Sequence, residues 1–165
     1  MNTSSSNNEA SQQEKTNYDL LMLDNQLCFS LYVCSKEIIK KYKALLDPFG
    51  LTYTGYIIMM ALWEKDDVTV KELGTRLYLD SGTLTPMLKK LEAQDYIKRI
   101  RSSSDERNVY IQLTSKGREL KEEALSIPKS MICSLDLDPS YAGGLLDALH
   151  KMMKRLEASD DSAAD

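Results

Sequence analysis

The chain has 165 residues, 42% of them hydrophobic and 28% charged, with a formal net charge of -4, which fits one globular domain with tails and argues against a multidomain enzyme. Its longest apolar run, Tyr56 to Trp63, is far too short to span a bilayer, and with no basic-then-apolar leader the expected compartment is the cytoplasm, with no membrane partner. Cys28, Cys34, Cys133 and the single His150 offer neither a metal-ligand set nor a Cys–His nucleophile pair, so no metal or cofactor is expected.

The acidity sits in the tails. Glu9 and Glu14 outweigh Lys15 in the first seventeen residues, and Glu157, Asp160, Asp161 and Asp165 crowd the last nine. The body between them is close to neutral, so a local basic patch is permitted. Residues 1–17 are almost wholly Ser, Thr, Asn and Gln and cannot bury enough surface to offset the entropy of ordering, which predicts a disordered polar tail.

Leu27, Leu31, Ile38 and Leu45 follow helical spacing up to Asp47-Pro48-Phe49-Gly50, which predicts a long first helix ended by Pro and Gly. Thr52 to Trp63 reads as a second helix, nearly apolar all round and therefore central to the core. Thr69-Val70-Lys71-Glu72 is a capping box that starts a third helix with Val70, Leu73 and Leu77 inward. Leu79-Asp80-Ser81-Gly82 is read as the break before a fourth, whose buried stripe is Leu84, Met87, Leu88 and Leu91. Tyr96 to Arg101 and Val109 to Leu113 are β-prone and flank the polar stretch Ser102 to Arg107, as a charged hairpin would. Thr114 caps a fifth helix running toward Ser126, and a last helical region extends from about Ser140 to Leu156, with His150 an ordinary helical residue. Two short helices with a tight turn and then a hairpin give the order of a winged helix-turn-helix, a mainly α fold with a small β-hairpin wing.

In the fourth helix the stripe leaves Gly82, Thr83, Thr85, Pro86, Lys89 and Lys90 on the other face. Ser81, Thr83 and Thr85 bring hydroxyls to the positive end of the helix dipole, and Lys89 and Lys90 bring charge further on, a face that suits double-stranded DNA. It would serve equally as a solvated surface. Lys98, Arg99, Arg101 and Arg107 place cations around the hairpin, with Arg107 the expected minor-groove contact and Asp105 its orienting partner. The bland alternative there is a turn that keeps an edge hairpin soluble.

A second constellation lies in the first helix. Cys28 and Tyr32 are four positions apart, and Tyr42 returns to nearly the same face about 21 Å further along, out of reach of Cys28 in its own chain. A second copy crossing antiparallel could supply Tyr42 and Tyr53 to Cys28, and phenol hydrogen bonds would favour the thiolate that reacts with peroxide. The alternative is a buried cysteine among core aromatics.

Leu27-Cys28-Phe29-Ser30-Leu31-Tyr32, Leu77-Tyr78-Leu79-Asp80-Ser81-Gly82-Thr83-Leu84-Thr85-Pro86-Met87-Leu88-Lys89 and Asp105-Glu106-Arg107 resemble the multiple-antibiotic-resistance regulator (MarR) family, and within it the organic-hydroperoxide-resistance repressors. The resemblance covers roughly residues 20–156. It implies a homodimer joined through its N- and C-terminal helices, residues 18–50 and 114–156, around a DNA-binding region at 51–113; the tails, including the acidic one that composition marks at 157–165, lie outside it. It further implies that the reduced form holds a palindromic operator and that oxidation of Cys28 by an organic hydroperoxide releases it. Cys28 matches the sensing cysteine, Tyr42 and Tyr53 the tyrosines that hold it from the partner chain, and Arg107 the wing arginine. Some members resolve the oxidised cysteine with a second thiol on the other subunit, and Cys133 is the residue placed for that. Cys34, six positions after Cys28, points about 240° away around the helix. The competing readings are a regulator released by a phenolic ligand, a protein-binding module, and a cysteine peroxidase. The last lacks the alternating strands and helices and the Cys-x-x-Cys expected of it.

Overall fold

The computed structural model describes residues 18–102 and 108–162. Besides two short 3₁₀ turns, Leu23–Asn25 and Asp47–Phe49, ten α-helices and strands follow one another among the described residues: α1 (Leu27–Leu46), α2 (Tyr53–Glu64), β1 (Val68–Thr69), α3 (Val70–Leu77), α4 (Ser81–Ala93), β2 (Ile97–Arg101), β3 (Val109–Leu113), α5 (Ser115–Ala124), α6 (Ser126–Leu135) and α7 (Pro139–Ser162). The chain is mainly helical with one small antiparallel sheet of order β1-β3-β2, a winged helix-turn-helix flanked by long terminal helices. No single helix among the described residues is long and apolar enough to cross a membrane.

The core is built around α2. Thr52 caps it by accepting the Gly55 N–H at 3.1 Å, and Tyr56, Ile58, Met59 and Leu62 are buried against Leu73 of α3, Leu84, Leu88 and Leu91 of α4, Ile97 and Ile111 of the sheet, and Leu120 of α5. The apolar sequence of α2 thus reflects neighbours on several sides. Before it, a 3₁₀ turn over Asp47–Phe49 ends α1, and Gly50 takes the left-handed conformation that stops the helix (φ 65).

The capping box of α3 is complete: the Thr69 side chain accepts the Glu72 N–H and the Glu72 carboxylate accepts the Thr69 N–H at 2.8 Å. The turn into α4 falls at Tyr78-Leu79-Asp80, with Tyr78 left-handed (φ 55). Ser81 and Gly82, read from sequence as part of the break, are instead the first residues of α4. The reason is Asp80, whose carboxylate caps the helix by accepting the Thr83 N–H at 2.8 Å.

Three further features differ from the sequence reading. The sheet has a third strand, β1, whose Val68 and Thr69 pair with Ile111 and Tyr110. The fifth helix breaks at Leu125, and α6 follows with Pro128 in its first turn, where a missing N–H costs nothing. The last helix runs to Ser162, so the acidic segment from Glu157 begins within α7.

The terminal helices stand largely outside this core. Leu46 is the one buried residue of α1, and none of the described side chains of α7 is buried. Leu27, Tyr32 and Val33 of α1 and Tyr141, Leu146 and Leu156 of α7 are exposed. The apolar spacing that predicted the first helix therefore includes Leu27, which the rest of the chain leaves uncovered.

Candidate nucleic-acid interface and cysteine sites

Helix α4 presents the polar face anticipated from its sequence spacing. Leu84, Leu88 and Leu91 are buried, while Ser81, Thr83, Lys89 and Lys90 are exposed and Thr85 is half-buried. The Thr83 hydroxyl donates to Asp80 at 2.9 Å, so it belongs to the cap as well as to the surface. Hydrogen bonds from Thr83, its backbone N–H foremost, hold the Asp80 carboxyl below the usual carboxylate range. The cap is therefore fully present above the ordinary carboxylate pKa and fails only as pH falls through the lowered one.

Beside this face a crevice of about 270 Å³ opens between α3, α4 and the hairpin, with Lys71, Thr85, Arg99 and Asn108 among its lining residues. Lys71, in the first turn of α3, adds a cation that the sequence reading passed over, because its placement beside α4 depends on how two helices pack. The hairpin is a regular antiparallel ladder from Ile97↔Leu113 to Arg101↔Val109, closed by the Ser102 N–H on the Asn108 carbonyl at 2.9 Å. Asp105 and Arg107 lie outside the described residues.

Arg99 needs correction as a DNA-facing cation. Its Nε and Nη2 each lie 2.7 Å from Glu92 Oε2, and its backbone N–H reaches Glu92 Oε1 at 3.2 Å. Strand alternation turns Arg99 to the same side as the buried Ile97, toward α4, whereas Lys98 points outward.

The thiols Cys28, Cys34 and Cys133 are all free and exposed. Cys28 is the second residue of α1, and Tyr32 one turn on is exposed. Tyr42 sits at the other end of α1, its ring 4.9 Å from that of Tyr53 and 5.9 Å from that of Tyr56. Burial, and then the neighbouring Tyr53 and Tyr56, push the Tyr42 phenol above its ordinary pKa. The fold thus brings Tyr42 and Tyr53 together and leaves Cys28 about 21 Å from them along the helix. Tyr56, the third ring of the cluster, was read from sequence only as core. Cys133 lies on α6, which meets α1 near Lys41, where the Lys41 ammonium reaches the Ser134 carbonyl at 3.4 Å. That contact is thirteen residues from Cys28, about 20 Å of helix, so Cys133 and Cys28 of one chain are not neighbours.

Residues 40–124 match the family model described as transcriptional regulator SarA/Rot. The chain is 47% identical over 133 residues to the HTH-type transcriptional regulator SarZ of Staphylococcus saprophyticus, covering 81% of this chain and 91% of that one. It is 52% identical over 115 residues to the organic hydroperoxide resistance transcriptional regulator of Bacillus subtilis, covering 70% and 78% respectively. Among solved structures it resembles reduced AbfR bound to DNA, a protein of Staphylococcus epidermidis, with a TM-score of 0.72, 34% identity and coverage of 86% of this chain and 99% of that chain. AbfR has also been solved in a disulfide form, which this chain matches with a TM-score of 0.62.

Proposed function

The chain belongs to the MarR-type transcriptional regulators, on the branch that holds SarZ and the organic hydroperoxide resistance regulators, and from that membership we propose that it is a DNA-binding repressor switched by oxidation of Cys28. The observation that carries the reading is a division of labour in the fold. The capped helix α4 offers a finished polar face, while the thiol-bearing end of α1 leaves Leu27 and Phe29 uncovered and α7 leaves Tyr141, Leu145, Leu146, Met153 and Leu156 uncovered. A second copy of the chain is the natural cover, through α1, α6 and α7. Two-fold symmetry then sets two α4 helices into successive major grooves of an inverted repeat. Ser81, Thr83, Thr85, Lys89 and Lys90 face the duplex, and Asp105 and Arg107 serve the wing tip.

In the sensing step the Cys28 thiolate attacks one oxygen of an organic hydroperoxide. The O–O bond breaks, the sulfur becomes a sulfenic acid, and the other oxygen leaves as an alcohol after taking a proton. The Cys133 thiol of the other subunit then displaces water from the sulfenic sulfur to form a disulfide. An electrophoretic shift on the chain's own upstream region tests the core of this. Reduced protein is expected to retard the DNA, organic hydroperoxide to free it, and a thiol reductant to restore the complex. Retardation that is indifferent to hydroperoxide would leave a DNA-binding protein with another signal.

Tyr42 and Tyr53 are assigned as the donors that reach Cys28 from the partner chain, beside Tyr32 from its own. Tyr42→Phe and Tyr53→Phe keep the ring stack and remove one hydroxyl each, so each variant is expected to bind DNA nearly as tightly as the wild type. Each is also expected to react with hydroperoxide about tenfold more slowly, the loss of one hydrogen bond to a charged group. Stopped-flow oxidation rates check it. Rates equal to the wild type would remove both phenols from the site.

A further inference from the structure

We propose that Glu92 and Arg99 form a strut that sets the angle of the hairpin against helix α4, and so decides whether the two can engage one duplex together. The proposal rests on the DNA-binding reading above and adds to it two residues that need not touch DNA. Each sits where its own element gains nothing from it. Glu92 is a carboxylate in the last turn of α4, beside the outward carbonyls that disfavour negative charge at a helix C-terminus. Arg99 occupies a helix-facing position of β2, in step with the buried Ile97, where an unpaired cation would be costly. The two answer each other: one carboxylate accepts the Arg99 backbone N–H at 3.2 Å and two guanidinium N–H groups at 2.7 Å. Residues that break a local rule in pairs, each compensating the other across two elements, mark a constraint on the relation between those elements.

The surrounding boundary explains why such a constraint is needed. On its open side the crevice lined by Thr85, Leu88, Arg99 and Val109 separates α4 from the outer hairpin. Ile100, next along the strand, is 42% exposed. Past Ile97 the apolar ties of the hairpin come from β3, where Ile111 is buried and Val109 packs against the core, and on the β2 side the Glu92–Arg99 pair makes the link to α4. The side chains of Arg99 and Glu92 are 30% and 36% exposed, shielded enough for direction to matter. A planar guanidinium held through two nitrogens, with the strand backbone on the same carboxylate, fixes orientation as well as distance. Truncating either partner loosens the β2 side of the hairpin against α4 while the anchors on β3 stay in place.

The test compares wild type, Glu92→Gln, Arg99→Lys and the charge-reversed double variant E92R/R99E by hydroxyl-radical footprinting on the operator, with hydrogen exchange on the free proteins. Glu92→Gln is expected to keep protection at the major-groove centre of each half-site and to lose the flanking minor-groove protection, with affinity down about tenfold, which corresponds to ~1.4 kcal/mol. Arg99→Lys should fall between, and the double variant should regain part of the flanking protection. In the free protein, amides of residues 97–101 and 109–113 should exchange faster in Glu92→Gln while those of α2 do not change. Flanking protection retained in Glu92→Gln would overturn the strut, as would centre and flanks lost together with a lowered melting point, the mark of a merely structural pair. If the wild type protects no DNA, the DNA-binding reading fails on its own, and unchanged hairpin exchange in Glu92→Gln still overturns the strut.

Discussion

A Cys28→Ser protein is expected to bind the operator as tightly as the wild type and to stay there at hydroperoxide concentrations that strip the wild type off. Serine keeps the size and the helical position of the residue, so nothing in the DNA-facing surface changes, but its hydroxyl is not ionised at neutral pH and does not attack peroxide. The wild type should lose between about five- and 150-fold in affinity on oxidation, the range over which one site couples to another in switching proteins. The variant should lose none. The coupling we propose runs through a Cys28–Cys133 bridge. Cys28 and Cys133 of one chain are held apart, because α6 meets α1 near Lys41. A bridge must therefore join two chains and bring Cα atoms within about 7 Å. Closing it shifts helices that continue, through α5, into the hairpin. Non-reducing electrophoresis after hydroperoxide should show a covalent dimer for the wild type and none for Cys28→Ser or Cys133→Ser. A covalent dimer that survives Cys133→Ser would remove Cys133 as the resolving thiol and leave Cys34 or the Cys28 of the other chain in that role.

The parts of this molecule that a reader can take from its sequence are those decided within one or two helical turns. The Thr69–Glu72 box, the Thr114 cap, and the stripe of Leu84, Met87, Leu88 and Leu91 involve residues three or four apart, and each appears in the structure where its spacing puts it, with the three leucines buried and Met87 half-buried. Non-local features escaped. Strand β1 is two residues long and exists because β3 lies beside it; nothing in Val68-Thr69 alone signals a strand. Arg99 read as one more cation of a basic hairpin because its partner is seven residues back, across the turn that Asp95 makes in the left-handed region (φ 61). The split at Leu125 follows from packing, with Ala124 and Ile127 on either side both buried. Periodicity found the helical pattern of α1 but could not say which of its apolar residues the rest of the chain would leave uncovered. That question is settled by which faces the rest of the fold leaves bare.

Gly117→Ala is expected to destabilise the protein by about 3 kcal/mol, against the usual direction of such a change, since alanine in a helix is ordinarily about 1 kcal/mol better than glycine. Gly117 is the third residue of α5, and a Cβ there would lie 2.0 Å from the Tyr96 carbonyl oxygen and 3.3 Å from Leu113 Cδ2. The backbone oxygen cannot give way. Tyr96 O accepts the Thr114 N–H at 3.1 Å, the Thr114 hydroxyl donates to the adjoining Asp95 carbonyl at 2.6 Å, and the same hydroxyl oxygen caps α5 through the Gly117 N–H at 3.0 Å. The Gly117 carbonyl in turn accepts the Trp63 indole N–H at 2.9 Å. Relief of the clash must push α5 off the start of β2 and loosen these contacts together, around a Thr114 that is itself buried. Gly144 supplies the control. It lies in α7 with nothing within 4 Å of where its Cβ would stand, so Gly144→Ala should stabilise by about 0.5–1 kcal/mol through helix propensity alone. Urea unfolding midpoints at unchanged slope measure both. If Gly117→Ala unfolds at the wild-type midpoint or above it, α5 is free to move relative to the hairpin. A rigid connection between the cysteine-bearing helices and the DNA-facing head would then be lost from the mechanism, because α5 is the segment through which any shift of α6 reaches β3.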